Sequence, residues 1–237
     1  MLEIRDITIR FGGLTAVNQV NFQMQANEVV GLVGPNGAGK TTLFNAISGL
    51  VRPSSGQITF QGRDILKMPQ YQRARLGIGR SFQIPQPMHE LTVRENLIVA
   101  QRFGTGTVDP EKLEELLQLM SLDRKAHAAA AKDLALTELK ALEVAKALAT
   151  EPQMLLLDEV LAGLEVNGKA LFMKLLKTIQ QSRGIGILII EHDIETIMRL
   201  CDRVCVLDFG QLIADGKPDT VFKLPEVIRS YTGEAHA

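Results

Sequence analysis

Apolar and polar residues alternate over much of the first thirty positions. Leu2, Ile4, Ile7 and Ile9 keep a near two-residue period with a phase slip at Asp6, and residues 17–24 alternate again. Both stretches predict β-strands with one buried face. Residues 28–33 (EVVGLV) form a compact apolar strand that runs directly into a glycine-rich loop. Beyond the loop, Leu43, Ala46, Ile47 and Leu50 recur at helical spacing and predict a helix over 41–50. Arg52-Pro53-Ser54-Ser55-Gly56 reads as a turn, and 57–60 as another strand.

The period changes in the middle third. Residues 92–101 place Val93, Leu97 and Ala100 on one helical face, and 103–110, with two glycines and a proline, predict a loop. Residues 111–120 predict an amphipathic helix with Leu113, Leu116, Leu117 and Met120 facing inward. The alanine-rich stretch 126–131 is expected to be helical, and 139–150 a further helix burying Leu142, Val144, Ala145 and Leu148. The last third returns to α/β alternation: strands at 153–158 and 186–190, helices at 169–181 and 195–201, and a hairpin of 204–208 and 211–214 turning at Phe209-Gly210. The expected fold class is therefore α/β with a mostly parallel sheet. The N-terminal strands form an antiparallel β subdomain. A helical subdomain at about 90–152 is inserted between core pieces 1–89 and 153–237 of one domain, 1–237.

Composition narrows this little. The 237 residues are 46% hydrophobic and 22% charged, an ordinary globular balance. A net charge of −1 and the absence of Trp offer neither a basic surface nor stacking platforms, so no nucleic-acid partner is expected. No apolar run reaches the roughly 18–20 residues needed to span a bilayer, and no secretory signal is read at the N-terminus. Cys201 and Cys205 are expected to be buried thiols in a reducing cytoplasm.

The chemistry lies in the loop Gly34-Pro35-Asn36-Gly37-Ala38-Gly39-Lys40-Thr41, which matches G-x-x-x-x-G-K-[ST] between a predicted strand and a predicted helix. Glycines let the backbone wrap and turn N–H groups inward, and the helix N-terminus adds positive potential for phosphates. Lys40 is expected to reach the β and γ phosphates of a nucleoside triphosphate, read as ATP, and the Thr41 hydroxyl to face Mg²⁺, with Thr42 adjoining the site. Met154-Leu155-Leu156-Leu157-Asp158-Glu159 supplies the complementary acidic strand end. Asp158 is the candidate metal ligand and Glu159 the candidate base for water. His192, after the apolar strand 187–190, brings a polar ring to the same sheet edge as a candidate γ-phosphate contact.

These residues resemble the nucleotide-binding subunits of ABC transporters, over nearly the whole chain and in the family's motif order. The resemblance assigns Gln83 (in RSFQ) to the glutamine loop, as a catalytic and Mg²⁺-contacting residue. It assigns Asp158 and Glu159 to the acidic strand, Ala162-Gly163-Leu164-Glu165 to the D-loop, and His192 (in EHD) to the switch histidine. Phe11 resembles the aromatic that stacks on adenine. The strings RFGGLTAVNQVNF, TVRENLIVA, LEVAKALATEP and AGLE are similar to the branched-chain amino acid (Liv-type) importers. Lipopolysaccharide-export ATPases share part of the pattern. The resemblance implies a sandwich of two ATPase subunits, homo- or heterodimeric, enclosing two ATP molecules. It also implies transmembrane permease partners, an indirect link to a substrate-binding protein, and a place on the cytoplasmic face of the inner membrane. The permease groove is expected near residues 83–97.

One motif departs from the family. The signature Leu-Ser-x-Gly-Gln aligns with Leu134-Ala135-Leu136-Thr137-Glu138. Ala135, Thr137 and Glu138, which by resemblance meet the other subunit's ATP, replace a hydroxyl, a glycine and a neutral amide. A lost hydrogen bond to a charged group costs about 1.5–3 kcal/mol, which implies slower intrinsic turnover or dependence on the partner subunit. Val160 stands where proline is common and Glu165 where Asp or Asn is common. A regulatory, slow-turnover module is the alternative that this signature leaves open.

Overall fold

The computed structural model describes residues 1–232. Strands β1 (Leu2–Phe11), β2 (Leu14–Met24) and β3 (Val29–Val33) precede helix α1 (Lys40–Ser48). Strands β4 (Ser55–Phe60) and β5 (Arg63–Asp64), helix α2 (Gln70–Leu76) and strand β6 (Ile78–Arg80) follow. Helices α3 (Val93–Thr105), α4 (Pro110–Leu119) and α5 (Leu136–Ala149) occupy the middle, with a 3-10 turn at Asp123–Lys125. The chain continues through β7 (Met154–Asp158), α6 (Val166–Arg183), β8 (Gly186–Ile190) and α7 (Ile194–Leu200), then β9 (Arg203–Asp208), β10 (Gln211–Gly216), α8 (Pro218–Val221) and α9 (Pro225–Thr232). Two compact units result: Met1–Arg73 with the chain from Gly186 onward, and Ala74–Ile185.

The first unit holds an antiparallel sheet in the order β2-β1-β4-β5. Leu2, Ile4, Ile7 and Ile9 are each at most 1% exposed. The phase slip between them is a β-bulge: the pairing register shifts between Ile4 and Ile7, and Asp6 has φ 50°. In the same unit β3 lies parallel to both β8 and β9, and β10 pairs antiparallel with β9. Every residue of β3 and β8 is buried, so these strands read as continuous apolar runs rather than alternating ones. The β9–β10 hairpin turns at Phe209 (φ 42°) and Gly210 (φ 78°), the pair of positive φ angles that suits the twist of a two-residue hairpin.

Buried polar links support this unit. Arg73 is 2% exposed and donates to the carbonyls of Ala46, Ile47, Leu66 and Met68. Its cation thereby meets the C-terminal end of α1, where the helix dipole favours positive charge. Arg203 joins Glu28 and Asp215 at 2.6 Å each, and its guanidinium lies 5.6 Å from the centre of the Phe22 ring. Cys201 and Cys205 are free and buried, and burial pushes the Cys205 thiol well above its ordinary range.

In the second unit β6 pairs parallel with β7, and α3 and α4 pack against α5. A capping box starts α3: the Thr92 hydroxyl accepts from the Glu95 N–H at 3.3 Å, and the Thr92 N–H donates to the Glu95 carboxylate at 2.8 Å. Asp109 caps α4, with Pro110 at its first position.

Two expectations fail here. Residues 103–105 continue α3 instead of starting a loop. A Cβ on Gly104 would lie 2.7 Å from Thr150, so this glycine serves a close packing contact, and Gly106 (φ 85°) ends the helix. Residues 126–131 are not helical. Their backbone pairs with the entry to α3 instead, with Val93 N–H donating to Ala128, Arg94 N–H to Ala126 and Ala130 N–H to Leu91. Ala126 and Ala130 are buried, and small side chains permit this approach; tertiary pairing overrides alanine's helix propensity.

Candidate functional site

In each unit the chemical residues gather where parallel strands end. In the first unit, β3 leads into the loop 34–41. Gly34 (φ 142°) and Gly39 (φ 99°) adopt backbone angles that other residues rarely reach. A Cβ would also lie 2.0 Å from the Leu207 carbonyl oxygen at Gly34 and 2.4 Å from that of Ala16 at Gly39. Gly37 (φ 81°) has open space on its Cβ side. The loop is thus drawn tight against β9 and β2 on one side and left accessible on the other. Ala38 is buried, while Asn36 is exposed and Pro35 half-buried.

Lys40 opens α1, is 6% exposed, and donates from Nζ to the carbonyls of Gly34 at 2.7 Å and Pro35 at 2.8 Å. Its ammonium is therefore folded into the loop rather than extended to the surface. Thr41 is exposed on the first turn of α1 and Thr42 half-buried. This cradle suits phosphate: Gly34 and Gly39 cannot take a side chain without steric clash, a helix begins at the loop, and a cation sits within it.

His192, exposed, follows β8. Because β8 is parallel to β3, His192 and the loop emerge at the same sheet edge. Phe11 is 50% exposed and pairs with Leu14 across the turn of the β1–β2 hairpin. Ala16 of that hairpin is the residue whose carbonyl crowds Gly39. The structure thus brings Phe11, residues 34–42 and His192 to one end of the first unit.

The second unit carries the acidic part. Asp158, the last residue of β7, is 4% exposed and lies 3.6 Å from the Arg80 guanidinium. Its N–H donates to the Ser81 hydroxyl at 3.4 Å. Burial lowers the Arg80 pKa, against the raising effect of Asp158, and the guanidinium lies 5.2 Å from the Phe82 ring centre. Gln83 Nε2 donates to the Glu159 carboxylate at 2.7 Å. Glu159 has φ 50°, a conformation that costs a non-glycine residue of order 1–3 kcal/mol. Its carbonyl accepts from the ammonium of Lys140, on α5, at 2.9 Å.

The departing signature forms the start of α5. Ala135 is the extended N-cap residue, without a side-chain cap bond, and Thr137 is exposed on the first turn. The Glu138 carboxylate folds back, accepting from the Ala135 N–H at 2.7 Å and pairing with Lys125 at 2.7 Å. Burial raises the Glu138 pKa, but the Lys125 and Ala135 hydrogen bonds outweigh it and hold the carboxyl below its ordinary value. The negative charge is thus satisfied inside the chain. Val160, in the proline position, is 2% exposed and packs into the core. Glu165 is the N-cap residue of α6.

The sequence did not single out Arg80, Ser81 or Lys140. Arg80 could have been found as a cation at a strand end just before the Gln83 loop. The signal for Lys140 is a basic residue among the mostly apolar positions of α5. The first unit offers a cation and N–H groups suited to phosphate (Lys40, residues 34–41) and the Thr41 hydroxyl; the second offers the oxygens of Gln83, Asp158 and Glu159.

A family model described as "ABC transporter" matches residues 17–162. The chain is 38% identical, over 251 residues, to the high-affinity branched-chain amino acid transport ATP-binding protein LivG of Salmonella typhimurium, covering 99% of this chain and 98% of that one. Among solved structures it resembles the ADP conformation of MJ1267, an ATP-binding cassette of an ABC transporter, with TM-score 0.89 and 29% identity over 99% of each chain. It also resembles a dimeric structure of MJ0796, a bacterial ABC transporter cassette, with TM-score 0.83 and 25% identity over 92% of this chain and 99% of that one.

Proposed function

Since the chain belongs to the ABC transporter family of ATP-binding cassettes, we propose that it is the subunit whose ATP hydrolysis powers import of branched-chain amino acids or related amides. The observation that carries this reading is the glycine loop of the first unit, which holds the buried Lys40 ammonium; within the second unit, the acidic strand end where Gln83 donates to Glu159 supports it. The near full-length likeness to LivG supports the substrate class.

The roles follow from the chemistry of each group. Lys40 and the N–H groups of residues 34–41 bind the β and γ phosphates, Thr42 lies beside them, and Phe11 stacks on adenine. Thr41, Asp158 and Gln83 would hold Mg²⁺, which when bound spreads charge off the γ-phosphate. Glu159 orients and deprotonates water, and His192 meets the γ-phosphate oxygens from its strand end. The first turn of α5, with Ala135, Thr137 and Glu138, faces the ATP of a second ATPase subunit, the Glu138 carboxylate being turned back to Lys125, and the D-loop 162–165 faces it too. Residues 90–152 form the inserted helical subdomain, and 83–97 face the permease.

No helix among the described residues is long and apolar enough to cross a membrane. The likeness to transport ATP-binding proteins supports a place at the cytoplasmic face, held there by transmembrane permease partners, with the substrate-binding protein met only through them. Affinity isolation of this chain from solubilised membranes is expected to recover a permease pair and a second ATPase subunit in one complex with Mg²⁺-dependent ATPase activity. Recovery of the chain alone, with no membrane protein in stoichiometric amount, would remove the transport role.

The folded-back Glu138 sharpens the expectation for the signature. Its charge is neutralised by Lys125, so the deficit lies with Ala135 and Thr137, which lack a hydroxyl and a close backbone approach. Ala135→Ser with Thr137→Gly is expected to raise ATP turnover about tenfold, the low end of the 1.5–3 kcal/mol of a charge-assisted hydrogen bond. Steady-state phosphate release checks this; no rise would mean that the signature is already competent.

A further inference from the structure

Lys140 is a buried cation that the nucleotide chemistry above does not use. It sits one turn into α5 and is only 6% exposed. Burial of an ammonium is unfavourable unless strong acceptors replace water. Here the acceptors are two backbone carbonyls, Glu159 at 2.9 Å and Ala162 at 2.5 Å. Both belong to the segment that leaves β7. The Glu159 carbonyl also accepts from the Ala162 N–H at 3.2 Å, closing the turn that Lys140 grips.

This grip falls where the backbone is least favourable. Glu159 has φ 50°, and an L-residue stays in that region only when its surroundings impose it. The direction of its side chain is set by that backbone. At the other end of the residue, Gln83 holds the carboxylate at 2.7 Å. Glu159 is thus fixed at two points: Gln83 holds its carboxylate, and Lys140 holds its main chain.

The two clamps come from different places. Lys140 belongs to α5, and the first turn of α5 carries Ala135, Thr137 and Glu138. Only Leu139 separates Glu138 from Lys140, so the two stand within one turn of the same helix. The ammonium thus joins the helix that begins with Ala135–Glu138 to the backbone of Glu159 in the same chain. The exposure of Ala135, Leu136 and Thr137 leaves that end of the helix accessible from outside.

We propose that Lys140 is a positioning residue for hydrolysis, which holds Glu159 in its left-handed backbone conformation and links the first turn of α5 to the carboxylate of the same chain. It acts through the backbone of Glu159. The proposal rests on the reading of Glu159 as the hydrolytic base.

The test compares single-turnover ATP hydrolysis, nucleotide affinity and thermal melting for full-length wild type, Lys140→Met, Lys140→Gln and Glu159→Gln. Methionine keeps the length of the stem and removes every donor. Glutamine keeps two N–H donors on a shorter stem and removes the charge. Lys140→Met is expected to slow hydrolysis at least tenfold and to leave the affinity for a fluorescent ATP analogue within about twofold. Lys140→Gln is expected to fall between it and wild type, because the carbonyls need donors more than charge. In a Glu159→Gln background, Lys140→Met is expected to slow hydrolysis no further, since both changes act through one carboxylate.

Wild-type hydrolysis in Lys140→Met would overturn the proposal, as would a parallel loss of affinity and rate. If Lys140→Met does not fold, Lys140→Gln decides by the same split: slowed hydrolysis at unchanged affinity supports the proposal, and wild-type hydrolysis overturns it. Glu159→Gln separates the two ideas. Normal hydrolysis in that variant removes the base assignment and with it the ground for the proposal. Slow hydrolysis there, with Lys140→Met unaffected, removes the proposal alone.

Discussion

Replacement of Lys40 by alanine is expected to weaken ATP binding by about 10²–10⁴-fold, as read by fluorescence titration with an ATP analogue. The ammonium is 6% exposed and already folded into the loop by the carbonyls of Gly34 and Pro35. A phosphate entering the cradle meets a cation whose position is set in advance, so little further ordering is needed on binding. Charge-assisted hydrogen bonds contribute about 1.5–3 kcal/mol each. Two of them to the β and γ phosphates amount to roughly 3–6 kcal/mol, which is the stated change in affinity. The glycines that shape the loop remain in place, so the variant should fold. Affinity at the wild-type level would remove Lys40 from the site.

Glu159→Gln is the second large effect, and its direction differs. ATP affinity should stay within about twofold while hydrolysis falls by about 10²–10³, within the range that a positioned general base contributes. The amide has the size of the carboxylate, and its oxygen still accepts from Gln83, which now bonds Glu159 at 2.7 Å. The backbone grip of Lys140 does not involve the side chain. The change thus removes proton acceptance and little else. Paired measurements of phosphate release and nucleotide affinity read it. An unchanged rate would show that another group activates the water.

How legible these features were in the sequence depends on how local their causes are. The bulge at Asp6 showed as a break in a two-residue period, and the Phe209-Gly210 hairpin as two short strands around a turn residue, because both arise from neighbours in sequence. The glycine loop was legible for the same reason: strand, turn and helix start are contiguous. Gly104 misled because its reason is Thr150, a packing partner far along the chain. The alanines at 126–131 misled because their backbone pairs with residues 91–94, and helix propensity does not register such pairing. Strand β6, three residues long, exists through its pairing with β7, more than seventy positions later.

The same limit applied to the site. Glu159, Gln83 and Asp158 could be picked out by motif, yet the Gln83–Glu159 bond, the Arg80–Asp158 pair and the Lys140 clamp are contacts between distant segments. The departing signature shows this most clearly. Read from sequence, Glu138 was a negative charge placed where phosphate is expected. In the structure its carboxylate turns back to the Ala135 N–H and to Lys125.

Uptake of radiolabelled leucine at low external concentration, by cells carrying Glu159→Gln in place of the wild-type chain, tests the central claim most directly. The expected result is a loss of high-affinity uptake with the variant still present at normal amount in the membrane fraction. Uptake of leucine, related branched-chain amino acids and amides at wild-type rates, with the variant as the sole copy, would contradict it.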